Sequence, residues 1–170
     1  WHDLLSVLDR HVAATPDRAR KLTLLAEIGS TAATELDDPD RAVGAYWSVL
    51  DLDPDNLQAL EALGRLYEAR GDHDKALDAI GRLAQRTPDA QDRVDLHYEM
   101  GRILEQHLRQ SEAAVEHYKT AVELSAGKHA ESLAALRRIH GQEQDWHATA
   151  RILEQQVASA ETAEARTSAL

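Results

Sequence analysis

Nine histidines and thirty aspartates and glutamates are the side chains of this chain that could hold a metal or move a proton, and their spacing decides whether they do. A helical zinc site needs two histidines one turn apart, as in His-Glu-x-x-His, and no two histidines here stand four residues apart. Cysteine is absent, which removes thiolate ligands, disulfides and nucleophilic thiols together. His97 falls on an apolar helical face and reads as a packed residue. The carboxylates lie on solvated faces or at helix starts, where capping and the helix dipole account for them. Neither a glycine-rich phosphate loop nor a nucleophile elbow occurs, and no serine and histidine can be paired from their spacing. The expectation is no catalytic residue, no metal, no cofactor and no enzyme.

Charge excludes another class. With 19 basic against 30 acidic residues the formal charge is −11, which repels a phosphate backbone, so nucleic acid is not an expected ligand. No apolar run reaches the length of a membrane span and none follows a charged leader, so the chain is expected to be soluble and without a membrane partner. Its compartment, cytoplasmic or periplasmic, stays unknown.

What remains is repetition. Leu57, Leu60, Leu63 and Tyr67 recur at three- and four-residue steps and so share one helical face. A break at Gly71-Asp72 follows, then Ala76, Ile80, Leu83 and Ala84 repeat the pattern, and Pro88 ends it. Upstream, Leu22, Leu25, Ile28 and Gly29 open the same frame, and Ala42, Tyr46, Val49 and Pro54 close it. Downstream come Val94, Met100 and Gly101, then Ala114, Tyr118 and Ala121. In both of these neighbours one extra residue sits between the helices. A fourth unit, with Leu133, Leu136 and Ile139 and then Trp146, Ile152, Leu153 and Val157, carries Arg137 where the others have glycine. Gly29 and Gly101, Ala42 and Ala114, and Tyr46 and Tyr118 keep one offset of 72.

These residues resemble the tetratricopeptide repeat, a helix-turn-helix of about 34 residues. The resemblance implies an all-α, right-handed superhelical solenoid of antiparallel helix pairs. The chain divides into the second helix of a truncated repeat over 1–16, repeats over 18–54, 55–88 and 89–126, a degenerate repeat over 128–160, and the start of another over 161–170. The chain is accordingly expected to be a piece of a longer protein. Helices are expected at about 2–14, 18–36, 40–52, 56–70, 73–87, 90–108, 111–125, 128–141, 144–159 and 162–170, with Asp38-Pro39, Asp55, Asp72, Asp89 and Ser111 as start signals.

In the family the first helix of each pair lines a concave face that holds partner segments. Carried over by position, the resemblance implies a column of Ser30, Arg65, Arg102 and Arg138. Ala26, Glu61, Tyr98 and Ala134 stand four residues earlier, and Ala33, Glu68, Glu105 and Gly141 three later. Two readings of the arginines stand: forks for a partner's carboxylates with Tyr98 as a flat anchor, or three-apart pairs with Glu68 and Glu105 on solvated helices. The lysines and asparagines by which some members grip a chaperone's terminal carboxylate are absent from these positions, and Asn56 is the chain's one asparagine. Trp47 stands where equivalent second-helix positions are polar. It either forms a contact on the convex side or folds over the connection around Asp37 to Asp40. The expected function is a non-catalytic scaffold binding a protein or peptide segment in its concave groove. The alternative is a structural spacer, self-associating end to end through uncapped ends, or a regulatory region of a larger protein.

Overall fold

The computed structural model describes residues 1–142 and Arg151. The helices expected beyond Gln142 lie outside the described residues. Among the latter there are eight α-helices and no strand: α1 His2–Ala14, α2 Arg18–Glu35, α3 Pro39–Leu52, α4 Leu57–Arg70, α5 His73–Arg86, α6 Ala90–Gln106, α7 Ser111–Leu124 and α8 Ala130–Gln142. Side-chain caps fix several starts. Asp17, Asp38, Asn56 and Asp89 accept backbone N–H groups of Arg20, Arg41, Ala59, and Gln91 with Asp92. Each such cap is worth about 1 kcal/mol. Asp55, expected to be a start signal, leaves the cap to Asn56 and pairs with Arg86 instead.

The connections differ as the sequence lengths imply. Between α4 and α5, Gly71 takes the left-handed conformation at φ 76°, and the N–H groups of Gly71 and Asp72 return to the carbonyls of Glu68 and Tyr67. The longer connections put a side-chain-bearing residue there, Asp37 at φ 50° and Arg109 at φ 56°. In each, the next N–H reaches back to the preceding helix, Asp38 to Ala32 and Gln110 to Leu104, both at 2.9 Å. Added length is thus absorbed by one loop shape used twice.

The chain divides into two compact units, Trp1–Arg86 and Thr87–Leu170. In the first, α2 packs on α3 and α4 on α5, with α1 against α2 and α3 against α4. Leu5, Leu8, Leu24, Ile28, Ala32, Ala42 and Ala45 form a continuous buried cluster. Charged groups also tie helices together: Arg41 reaches Asp9 and Arg70 reaches Asp40, both at 2.6 Å. In the second unit α6 packs on α7 and α7 on α8, around Val94, Ile103, Ala114, Tyr118, Ala121 and Leu136.

Close approach sets the pair geometry. A Cβ added at Gly29 would sit 2.8 Å from the Tyr46 ring, and one at Gly101 would sit 2.6 Å from the Tyr118 ring. Those rings rest directly on the partner helix's backbone. Helical Gly44, by contrast, has nothing within 4 Å of such a Cβ. Gly101→Ala is therefore expected to destabilise the chain by about 1–3 kcal/mol through overpacking. Gly44→Ala should stabilise it by about 0.5–1 kcal/mol by relieving helix entropy. Denaturant midpoints at unchanged slope would show the opposite signs.

Candidate functional site

The first helices of the pairs carry the positions expected to face a partner. In the first unit Ala26 and Ser30 of α2 line a recess of about 260 Å³ with Tyr46, Val49, Asn56, Gln58 and Ala59. On α4, Arg65 Nη2 donates to Glu61 Oε1 at 2.5 Å, one turn back, and the arginine side chain stays 77% exposed. Glu68 is half-buried on the same helix.

In the second unit a larger pocket, about 500 Å³, opens between α6 and α8, lined by Tyr98, Glu131, Ala134, Ala135, Arg137 and Arg138. The Tyr98 ring is held between two others, 5.7 Å from Tyr118 and edge-on to His129 at 5.2 Å. Arg138 forks onto Glu105, with Nη2 donating to Oε2 at 2.8 Å and Nη1 to Oε1. The Tyr118 hydroxyl donates to the same Oε2 at 3.0 Å. Burial and that bond hold the Tyr118 hydroxyl far above the usual phenol range, and the Glu105 bond raises the Arg138 guanidinium further. Tyr98, Glu105 and Arg138 are thus brought together in one unit, with Arg102 half-buried on α6. Arg65, Glu61 and Glu68 lie together on α4 of the other.

Two features escaped the sequence reading. Arg137 lines the pocket, is exposed, and has no ion pair or hydrogen bond among the described residues. Its position departs from the repeat's glycine, and that departure was the available signal. The second is a histidine pair joining α6 to α7: His97 Nδ1 and His117 Nδ1 lie 3.1 Å apart, so one neutral ring donates to the other. His97 is half-buried against this partner, not enclosed in the apolar core as expected. Burial lowers both pKa values, and His117 and Arg93 lower that of His97 further. No group of three or more metal-ligating side chains occurs among the described residues.

Trp47 does not fold over the connection at Asp37 to Asp40. Its Nε1–H donates to the Tyr67 hydroxyl at 2.8 Å, the Arg82 guanidinium stands 5.8 Å from its ring, and it remains 40% exposed. It walls a pocket of about 380 Å³ over α4 and α5.

Antiparallel helix pairs, each closed by a small residue under an aromatic or branched side chain and recurring along the chain, define an α-helical repeat protein. Tetratricopeptide repeat family models match residues 33–97 and 94–128. The chain belongs to the tetratricopeptide repeat family. Its fold is similar to that of MamA (TM-score 0.63, 16% identity, 92% of this chain and 89% of that one). A MamA RS-1 double mutant matches at TM-score 0.64 and 20% identity, over 96% and 86% of the two chains. A tetratricopeptide repeat protein from Parabacteroides merdae ATCC 43184 matches at TM-score 0.65 and 19% identity, over 92% and 59%. No curated protein sequence matches the chain. Among the described residues no helix is long and apolar enough to cross a membrane.

The histidine pair generates a pH dependence. Because both pKa values are lowered in the folded state, the unfolded chain binds more protons between the ordinary histidine value, about 6.5, and the lower folded values. Folding stability should hold above about pH 6.5 and fall as pH drops through that window. Urea midpoints measured from pH 8 to pH 5 should show this slope, and the double variant His97→Gln with His117→Gln should lose it.

Proposed function

We propose that the chain is a non-catalytic interaction scaffold that holds a protein or peptide segment against the first helices of its pairs. One observation carries this: positions picked from the repeat frame, Tyr98, Ala134 and Arg138, line one pocket between α6 and α8. A tyrosine fixed between two rings loses little freedom when a partner packs on it, which favours its use as an anchor. Ala134 leaves the floor low, and Arg137 supplies the open cation. Arg138 with Glu105 then acts chiefly as the wall, and a partner carboxylate engages Arg137 first. Arg65 and Arg102, with Glu61, Glu68 and Glu105, belong to the wider face. Peptides selected against the chain from a random library test this. Affinity should fall about tenfold or more for Tyr98→Ala and for Ala134→Arg, as expected for losing a central aromatic anchor or filling the pocket. Binding unchanged in both variants would remove the groove reading.

A second reading, self-association, has its own support. Helix α1 and the Trp1 that precedes it expose Trp1, Leu4 and Val7, at 61%, 37% and 38%, three residues apart. Such a row favours an apolar contact with another copy. Sedimentation velocity should then show concentration-dependent association that Leu4→Asp with Val7→Asp abolishes. A monomer at every concentration would dispose of this reading.

A further inference from the structure

The pocket behind Trp47 shares no residue with the recess on α2 and α4 of the same unit, and the groove reading leaves it unused. We propose that it is a second docking site, which takes a basic residue flanked by apolar ones from a partner's segment. Its volume, about 380 Å³, suits one or two side chains. The indole is fixed rather than loose: its one polar atom is satisfied by the Tyr67 hydroxyl, and Tyr67 is itself buried. A large flat surface is therefore offered with little freedom left to lose on binding.

Charge chooses the occupant. Helix α5 brings Asp74, Lys75, Asp78 and Arg82 to the rim. Of the two cations, Lys75 is paired with a carboxylate, whereas Arg82 is held by neutral groups and keeps its charge. Lys75 lies 3.5 Å from Asp72 and 5.5 Å from the Tyr67 ring centre. Arg82 donates to the Pro54 carbonyl at 3.3 Å and stands over Trp47. The exposed carboxylates of Asp74 and Asp78, one helical turn apart, have no ion pair or hydrogen bond among the described residues. With Lys75 set against Asp72, two carboxylates face the single Arg82 guanidinium, so the charge left for a partner is still negative. Aliphatic stems of Lys75 and Arg82 beside the indole supply the apolar surface next to it. A guanidinium or ammonium on the two carboxylates, with an apolar neighbour on Trp47, answers both features at once. The acidic balance of the whole chain steers such a segment in the same direction.

The test uses two short probes, acetyl-Gly-Leu-Arg-Leu-Gly-amide and its counterpart with Glu in place of Arg, titrated against the 15N-labelled chain. The indole N–H resonance of Trp47, assigned through Trp47→Phe, reports the site. The arginine peptide is expected to shift that resonance saturably. Its affinity should weaken about tenfold with the glutamate peptide and about tenfold in Asp74→Asn with Asp78→Asn, the loss expected for charge-assisted contacts. In Ala134→Arg, which blocks the groove of the other unit, the response should be unchanged. The proposal fails if no saturable shift occurs, if both peptides act alike, or if Ala134→Arg abolishes the response. The first two results leave the groove reading standing, and the third places the peptide in the groove.

Discussion

Where a Cβ would stand at position 101, the ring of Tyr118 stands instead, and the geometry of the second unit follows from that contact. A side chain at 101 would push α7 away from α6. Tyr118, buried to 1% exposure, would then withdraw the hydroxyl it places on Glu105. Glu105, so oriented, receives the Arg138 fork from α8, and that fork sets one wall of the pocket beside Tyr98. One missing methyl group is thus connected through a ring, a carboxylate and a guanidinium to the surface a partner would meet. Gly29 and Tyr46 repeat the contact in the first unit, and Tyr46 lines the recess there. Packing and the proposed recognition surface share residues in both units, so substitutions at these glycines should alter surface as well as stability.

The helices were legible because period and punctuation agree. Apolar residues at three- and four-residue steps fix the buried face, and Asp38-Pro39 and Asp89 fix where helices begin, while at α4 the cap falls on Asn56, one residue past the expected Asp55. The extra residue in two connections was countable, but its backbone consequence was not. Asp37 and Arg109 take the conformation that Gly71 takes in the shorter loop, and neither residue type announces it. Side-chain partners were harder still. Three-apart spacing suggested Glu68 and Glu105 as companions for Arg65 and Arg102, but it gave no sign that Arg65 turns back to Glu61 or that Glu105 receives Arg138, 33 residues on. Periodicity gives the face a residue occupies. The partner across the gap depends on crossing angle and rotation, which no single helix encodes.

Trp47 shows the same limit from the other side. Its polar neighbours in the repeat marked it as exceptional, and the spacing left its direction open between solvent and the preceding loop. The direction it takes is set by Tyr67 on the following helix, whose hydroxyl satisfies the indole N–H. An exposed indole with a free N–H would gain by finding an acceptor in water or in protein. Here the acceptor is built in, so the ring can remain 40% exposed in one fixed orientation.

Counting charges by commitment rather than by number separates the surfaces of this chain. Arg41, Arg70, Arg86 and Arg138 each bridge to a carboxylate on another helix or in the turn that precedes one, and their charge serves the contact between elements. Exposed pairs of this kind add little stability individually, about 0–1 kcal/mol. They do neutralise cations that would otherwise offset the acidic surplus locally. What the proposed sites would offer a partner is the remainder: a guanidinium at Arg137 beside Tyr98, and carboxylates at Asp74 and Asp78 beside Trp47, each without an ion pair among the described residues. Each remainder sits next to a held aromatic ring, and the two have opposite sign. An acidic chain of repeated helices can therefore offer chemically distinct sites without departing from the repeat, because the frame fixes the backbone and only the uncommitted side chains differ.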